Sequence, residues 1–296
     1  MSFIKEYLAY SSLSPRQKEF VKVKYIENSH TPSEWLAFFS KIAVYDRHGD
    51  AARNVLKKAG CATGAAAFIS IFISAFFETW LPILLLAPIA IITVVLYFIR
   101  KKSDLPNNFR KFLVPMVSIL REEMKPGEPL FLHIDLRGGL LNSKEVPAPR
   151  LRTTDKISRW SSGNISESFY SDRWLEARGV LADKSRLELQ VRDFIRKRVV
   201  TRRNARGKTK VKTKYKVKST IDARLHLPQD DYAVMSAGAS GGEKINIKPG
   251  EKRSAIRVRR TVIARDLESV VPFNQGVDVI ARAYRQVKLN QRGESK

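Results

Sequence analysis

Cysteine is nearly absent from this chain of 296 residues: Cys61 is the single one, and it lies in an apolar stretch. A disulfide framework within the chain is therefore excluded, and the soluble parts need no oxidising compartment to fold. The first ten residues contain an acid and no long apolar run. They are therefore not expected to act as a secretory signal peptide.

Histidine is scarce as well, and no pattern of catalytic residues is readable. The four histidines are His30 and His48 in predicted loops and His133 and His226 on predicted strands. None of them has a partner at metal-ligand spacing, and no Ser-His-Asp arrangement or cysteine nucleophile stands out. The glycine-rich run that ends at Lys244 lacks the Walker spacing, and Ile245 replaces the expected Ser or Thr. We expect no enzymatic activity, no metal and no cofactor, and an enzyme ranks third, after a binding protein and a membrane assembly, among the function classes considered.

Acidic residues are few in comparison with basic ones. The chain has 29 Asp and Glu against 54 Lys and Arg, which gives a formal net charge of +25. Such an excess of positive charge favours an anionic partner, and three classes fit: nucleic acid, an anionic lipid surface or an acidic protein.

Charge of either sign is almost missing from residues 59–100. Between Gly60 and Ile99 the one charged side chain is Glu78. The apolar segments on its two sides each approach the roughly 20 residues that a helix needs to cross a bilayer. We predict a transmembrane helical hairpin over 59–100, since two adjacent helices without a polar face are rare in a soluble core.

The charges that flank this hairpin predict its orientation. Basic residues lie before the first helix and after the second: Arg47, Arg53, Lys57 and Lys58, then Arg100, Lys101, Lys102, Arg110 and Lys111. The turn between the helices has no positive charge. The positive-inside rule then places both termini in the cytoplasm and Glu78 outside, and a bacterial inner membrane is the expected location.

Small residues repeat along the first apolar helix. Ala62, Ala66, Ser70 and Ser74 recur every four residues, and Gly60 and Gly64 form a GxxxG pattern. Small residues on one side of a helix allow a neighbouring helix to approach closely in lipid. The neighbour is either the second helix of the same chain or a helix of another subunit. The second possibility predicts a homo-oligomeric membrane assembly or pore.

The segments beside the hairpin read as helical. In residues 1–58, Ser14-Pro15 and Thr31-Pro32 each precede Gln or Glu at the position of a capping box. These signals predict helices from Pro15 to Glu27 and from Pro32 to about Tyr45, with a third helix from near Asp50 into the membrane. Residues 101–128 are predicted to form a linker helix that Pro115 kinks or splits.

Residues 129–296 read as a basic, β-rich domain. Strands are predicted at 130–136, 174–181, 186–201, 208–227 and 255–264, the last with Arg257 and Arg259 on one side. A closing helix that includes Val287 is predicted after Gln275. Residues 138–168 are rich in Gly, Ser and Pro and predict a long, poorly ordered loop. The predicted fold is therefore α+β: a helical N-terminal module, a membrane hairpin and an antiparallel β domain of sandwich or barrel type.

The strand at 208–227 alternates with unusual regularity. Even positions from Lys208 to Lys218 are all lysine, whereas odd positions are mostly apolar or Thr. One face should therefore pack on apolar surface while the other carries the lysines. The lysine face matches the arginine-bearing face of strand 186–201 only if even-numbered residues face even-numbered ones and odd-numbered residues face odd-numbered ones. The numbers of two facing residues then sum to an even number, for example Ile195 opposite Tyr215. This requires a connection of three or five residues, or a bulge near Gly207.

Charge is concentrated in this hairpin. Between Arg186 and Lys218 there are 14 Lys and Arg against two acids. The predicted polyanion-binding residues, called the basic ribbon below, are Arg192, Arg196, Arg198, Arg202, Lys208, Lys210, Lys212, Lys214, Lys216 and Lys218. Protection of a strand edge against aggregation would need only a few of these lysines. The predicted function is a membrane-anchored binding or scaffold protein that presents the basic ribbon to an anionic cytoplasmic partner.

Overall fold

The computed structural model describes residues 2–77, 80–147, 163–203, 206–234 and 244–289. Over these residues the chain has helices and an antiparallel sheet, so the predicted α+β class is confirmed. The helices are α1 Ser2–Ser11, α2 Pro15–Val23, α3 Pro32–Phe77, α4 Leu81–Ser103, α5 Val114–Glu123 and α6 Phe273–Tyr284. The strands are β1 Tyr25–His30, β2 Leu130–Asp135, β3 Glu145–Val146, β4 Gly163–Val180, β5 Arg186–Arg203, β6 Thr209–Pro228, β7 Tyr232–Val234, β8 Lys244–Lys248, β9 Arg253–Ala264 and β10 Val287–Leu289.

The chain divides into two compact units. One contains Met1–Val23 and Ala37–Leu105, and the other contains Lys24–Leu36 and Pro106–Lys296. The second unit therefore includes a short N-terminal segment together with the whole C-terminal part of the chain.

The first unit is built from α1, α2, most of α3, and α4. The capping box before α2 is confirmed, since Ser14 N donates to Gln17 Oε1 at 2.8 Å and Gln17 N donates to Ser14 Oγ at 3.3 Å. Two of its helices, α3 and α4, are long and apolar enough to span a membrane by length and composition. The predicted turn at Glu78 and Thr79 lies outside the described residues.

Two helix boundaries in the N-terminal segment were wrong. The helix predicted to reach Glu27 ends at Val23, and Lys24 adopts a left-handed backbone conformation with φ of 58° before β1 begins. The two helices predicted on either side of residues 46–49 are one helix of 46 residues. Gly49 does not interrupt α3, because a single glycine in a long helix costs only about 1 kcal/mol.

Over the described residues, the main sheet of the second unit has eight antiparallel strands in the order β1-β2-β4-β5-β6-β9-β8, with β3 beside β4. It is open over the described residues, so the barrel alternative is not formed. The other sheet contains β7 and β10, so Val287, predicted to lie on the closing helix, starts a strand instead. Helix α6 packs on β6 and β9.

Most of the predicted linker segment is part of this unit. It is not one helix, because residues 101–103 end α4 and a π-helical turn at Phe109–Leu113 then leads directly into α5. Pro115 lies in the first turn of α5, where proline is tolerated, so the predicted split at Pro115 was wrong and the interruption lies before Phe109. Phe112 and Met116 are buried against Gly276 of α6, where an added Cβ would lie 2.8 Å from both side chains. The residues between α4 and the sheet therefore contribute to the core of this unit.

Strand β4 is longer than predicted. It begins at Gly163, eleven positions before the expected start at Trp174, inside the segment that was predicted to be a loop. Residues 148–162 of that segment lie outside the described residues. The β4 register shifts between Arg173 and Leu175, so this irregularity is in β4, whereas β5 pairs with β6 without a shift.

Candidate polyanion interface

The hairpin of β5 and β6 has the register that the alternation requires. Ile195 faces Val217 and Lys197 faces Tyr215, so facing numbers sum to an even number, although the example pair Ile195–Tyr215 was wrong. Arg203 faces Thr209, which leaves the predicted connection of five residues, and Gly207 has φ of 76°. Consequently Arg202 lies opposite Lys210, Arg198 opposite Lys214 and Arg196 opposite Lys216 on one face.

The outer half of the hairpin extends beyond the neighbouring strand on the β6 side. Pairing between β6 and β9 ends where Val217 faces Ala264. On the other side β4 continues along β5 until Gly163 faces Arg202. The result is a three-stranded projection, called the arm below, made of residues 163–169, 196–203 and 209–216. Over the described residues, the backbone of 209–216 is a free sheet edge.

The odd-numbered face of β6 is only partly apolar core. From Val217 to Leu227 its residues are buried, as expected. In the arm, however, Val211 is 60% exposed and Thr213 is also exposed. The prediction that this whole face packs on apolar surface was therefore wrong for the arm, because the strand extends beyond the end of the hydrophobic core.

Acidic compensation on the basic ribbon comes from β4. Arg196 donates to the two Glu167 oxygens at 3.0 and 2.5 Å, and Arg198 Nε lies 3.4 Å from Glu167 Oε1. The lysines at 210, 212, 214, 216 and 218 are exposed, and none has an ion-pair partner in the described part of the chain. The charge of these five β6 lysines therefore stays uncompensated, whereas that of Arg196 and Arg198 on β5 is partly neutralised.

One residue on this face was missed by sequence reasoning. Phe169 of β4 lies opposite Arg196, so it shares the face of the basic ribbon with Phe194, which is 41% exposed. The sequence offered no clear signal for Phe169, because the outer half of β4 lies in a Gly- and Ser-rich stretch. Phe169 and Phe194 therefore both lie beside the basic ribbon.

The opposite face of the sheet holds a cavity of about 270 Å³ that Asp135, Asp172 and Asp193 line. Lys144 Nζ lies 3.1 Å from Asp135 Oδ2 and 2.6 Å from Asp172 Oδ1. Burial raises the pKa of Asp193 to about 6, although hydrogen bonding with Ser219 acts in the opposite direction and lowers it. Burial opposes ionisation of Asp135, but hydrogen bonds from Arg137 and Lys144 hold the pKa of that carboxyl at about 2. The described residues include no His, Cys, Asp and Glu group arranged to hold a metal.

The predicted helix-packing residues lie in different environments. Ser70 and Ser74 are buried, at 2% and 5% exposure, and a Cβ at Gly60 would lie 3.6 Å from Thr93 Cγ2 of α4. Ala66 is half-buried, whereas Ala62 and Gly64 are exposed, and an added Cβ at Gly64 would meet no atom within 4 Å. The small residues therefore do not all turn towards α4.

No family model, curated protein or solved structure matches this chain. The glycine-rich run before Lys244 lies outside the described residues, and β8 begins at Lys244 itself. The basic ribbon on the arm is thus the feature from which function is inferred.

Proposed function

We propose that this chain is an integral membrane protein that presents the basic ribbon to a phosphate-bearing polyanion in the cytoplasm. The observation that carries this proposal is the row of five exposed β6 lysines without acidic partners in the described residues, four of which lie on an arm that extends beyond the neighbouring strand β9. Nucleic acids and anionic lipid surfaces share this phosphate chemistry. An acidic protein is the alternative partner.

The arrangement of charge supports a ligand. Like charges face each other at Arg202–Lys210, Arg198–Lys214 and Arg196–Lys216. Each such pair destabilises the sheet by up to about 1 kcal/mol when nothing compensates it. Lysines on alternate residues of a strand repeat every ~6.8 Å. A polymer or surface with closely spaced phosphates would neutralise several of them together and release counterions.

The apolar helices support membrane anchorage. Large apolar side chains on both are exposed, among them Phe68, Phe72, Leu84, Ile91 and Phe98. Side chains of this kind in water would be unfavourable by about 1.5–3 kcal/mol each relative to an apolar environment. Lipid provides such an environment, so we propose that residues 59–100 form the transmembrane hairpin with both termini in the cytoplasm.

A homo-oligomeric membrane assembly is the second candidate. It is favoured by the exposure of Gly64 and Ala62 on the apolar part of α3, where another helix could approach. Native mass spectrometry from mild detergent distinguishes the candidates, since a monomeric mass would reject the assembly.

The proposed orientation predicts a specific labelling pattern. In a Cys61→Ser background, single cysteines replace exposed residues at Lys5, Trp80 and Glu251. We expect an impermeant thiol reagent added to intact cells to label Trp80→Cys only. Permeabilised cells, as the control, should label all three. Labelling of Glu251→Cys from outside would reverse the orientation and remove the cytoplasmic polyanion as a partner.

Binding by the wild-type chain tests the function itself. The full-length protein in detergent is titrated with a DNA duplex of mixed sequence at several salt concentrations. The reconstituted protein is titrated in the same way with vesicles that contain anionic lipid and with vesicles of neutral phosphatidylcholine. We expect sequence-independent binding to at least one anionic probe, with affinity that falls steeply as salt rises. Preference for duplex or vesicle identifies the source of phosphate. Absence of binding to both, or binding that salt does not affect, would reject the proposal.

A further inference from the structure

A groove lies where the hairpin joins the rest of the sheet. It has a volume of about 350 Å³ and is lined by side chains of β5, β6, β9 and β8 on the face that carries the basic ribbon. Its cationic residues are Arg192, Lys218, Arg224, Lys244, Arg257 and Arg259. Asp222 is the one acidic residue in the lining.

Asp222 holds two of these arginines in place. Arg257 Nε donates to its Oδ1 at 2.8 Å, and Arg259 donates to its Oδ2 from Nε at 3.0 Å and from Nη2 at 2.8 Å. Burial opposes ionisation of Asp222, but hydrogen bonds from the two guanidinium groups lower the pKa of the carboxyl. The carboxylate therefore stays charged and fixes both guanidinium groups side by side, while 36% and 41% of their side chains remain exposed.

The other cations of the groove have little compensation. Arg224 Nη1 lies 3.6 Å from Glu188 Oε2, which is at most a weak ion pair. Arg192, Lys218 and Lys244 have no ion-pair partner among the residues that the structure describes. A network that served only to hold β6 against β9 would need the Asp222 pairs and none of these three.

The width of the groove sets the kind of anion that fits. The cations extend from β5 across β6 and β9 to β8, which is three strand spacings or ~14 Å. A single phosphate cannot reach cations on both sides of such a span. Thr220 of β6 and Thr261 of β9 face each other between these cations, and their hydroxyl groups add neutral hydrogen-bond donors. Fixed guanidinium pairs beside hydroxyl groups suit the oxygens of phosphate groups.

We propose that this groove binds a compact anion with two or more phosphate groups, either a free polyphosphorylated molecule or a multiply phosphorylated lipid headgroup. The site is separate from the binding of a polymer or surface by the arm. Arg257 and Arg259 belong to the groove alone, and the lysines at 210–216 belong to the arm alone. Each set can therefore be changed without the other.

The test uses the full-length protein in detergent and isothermal titration with inorganic triphosphate, with orthophosphate as the single-phosphate comparison. Triphosphate binds at one site per chain, and orthophosphate binds at least about tenfold more weakly. The double variant Arg257→Gln and Arg259→Gln weakens triphosphate binding by about a hundredfold, since each charge-assisted contact is worth about tenfold or more. The arm variant with Gln at 210, 212, 214 and 216 keeps its Kd within about threefold.

A conservative pair covers the possibility that the glutamine variant does not fold. Arg257→Lys with Arg259→Lys keeps both charges and the pairing with Asp222 but loses the planar fork, so binding weakens by at least about threefold. Unchanged triphosphate affinity in both pairs of arginine variants, or loss of affinity in the arm variant, would overturn the groove as the site. Vesicles that contain a doubly phosphorylated inositol lipid displace triphosphate if a headgroup is the natural ligand. Absence of displacement assigns the site to a free anion.

Discussion

Replacing Lys210, Lys212, Lys214 and Lys216 together with glutamine is expected to weaken the binding of phosphate polyanions by about a thousandfold. Each lysine near an anionic surface contributes about 1 kcal/mol, so four of them contribute about 4 kcal/mol. The same change should reduce the slope of log affinity against log salt by about 3 to 4 on duplex DNA, because four fewer phosphates are neutralised. Equilibrium binding across a salt series measures both quantities. The strand alternation and its length are unchanged, so only the charge of one face differs.

A matched variant separates the basic ribbon from the net charge of the protein. Lys22, Lys41, Lys125 and Lys252 are exposed and lie outside the basic ribbon, so their replacement by glutamine lowers the net charge equally, from +25 to +21. We expect this control to keep most of the affinity. Equal weakening by the two variants would mean that total charge, rather than the arm, governs binding.

The same four substitutions also test edge protection as the reason for the lysines. Relief of repulsion at the three facing pairs should stabilise the sheet slightly, by a few tenths of a kcal/mol for each pair. If the lysines only prevent edge-to-edge pairing at residues 209–216, the wild-type chain will bind polyanions weakly and the variant will aggregate. Light scattering during purification and thermal unfolding distinguish these outcomes.

The hairpin was predictable because its signal is local. Alternation of lysine with Val, Thr and Tyr fixes which residues share a face, and the parity of facing numbers then restricts the connection to an odd number of residues. The structure has that connection, between Arg203 and Thr209. The five-residue loop needs no long-range information, since both strands and the turn lie within about 40 consecutive positions.

The outer half of β4 and the strand β1 were not predictable in this way. Residues 163–173 contain no apolar alternation strong enough to outweigh their Gly and Ser content, and they become a strand because β5 lies beside them. Strand β1 has the sequence YIENSH, and it pairs with β2, where Tyr25 faces Asp135. The two strands are about 100 residues apart in the sequence, so no local pattern indicates that they pair. Tertiary contacts here override the weak strand propensity of this segment.

The groove was also only partly predictable from the sequence, because one of its key contacts depends on strand pairing. The sequence placed Arg257 and Arg259 on one side of a predicted strand, but their approach to Asp222 depends on the register between β6 and β9. Arg260, which follows them, faces the other way and donates to Asp278 of α6 at 2.6 Å. Which arginines share a surface was therefore predictable from alternation, whereas the carboxylate that orients them was not.

Replacing Trp35 with alanine is expected to destabilise the second unit by about 3–5 kcal/mol. Trp35 is 1% exposed, its Nε1 donates to the Leu130 carbonyl at 2.9 Å, and its ring lies 5.1 Å from that of His30. Since His30 faces Leu130, the indole covers the end of the β1–β2 pair. The substitution removes this cover and leaves a buried carbonyl without its donor. The free energy of unfolding of an ordinary domain is about 5–15 kcal/mol, so this loss would remove a large share of the stability.

Chemical denaturation of the full-length protein in detergent, followed by the circular dichroism of the sheet, measures this loss. Trp35→Phe keeps most of the apolar volume and loses only the hydrogen bond, so it should cost about 1–2 kcal/mol. Trp80→Ala makes the same change at a tryptophan that is 77% exposed, and should leave the sheet transition unchanged. If Trp35→Ala also left that transition in place, residues 24–36 would belong to a separate N-terminal module, as the sequence alone had indicated. A shift of several kcal/mol makes them part of the fold that carries the basic ribbon.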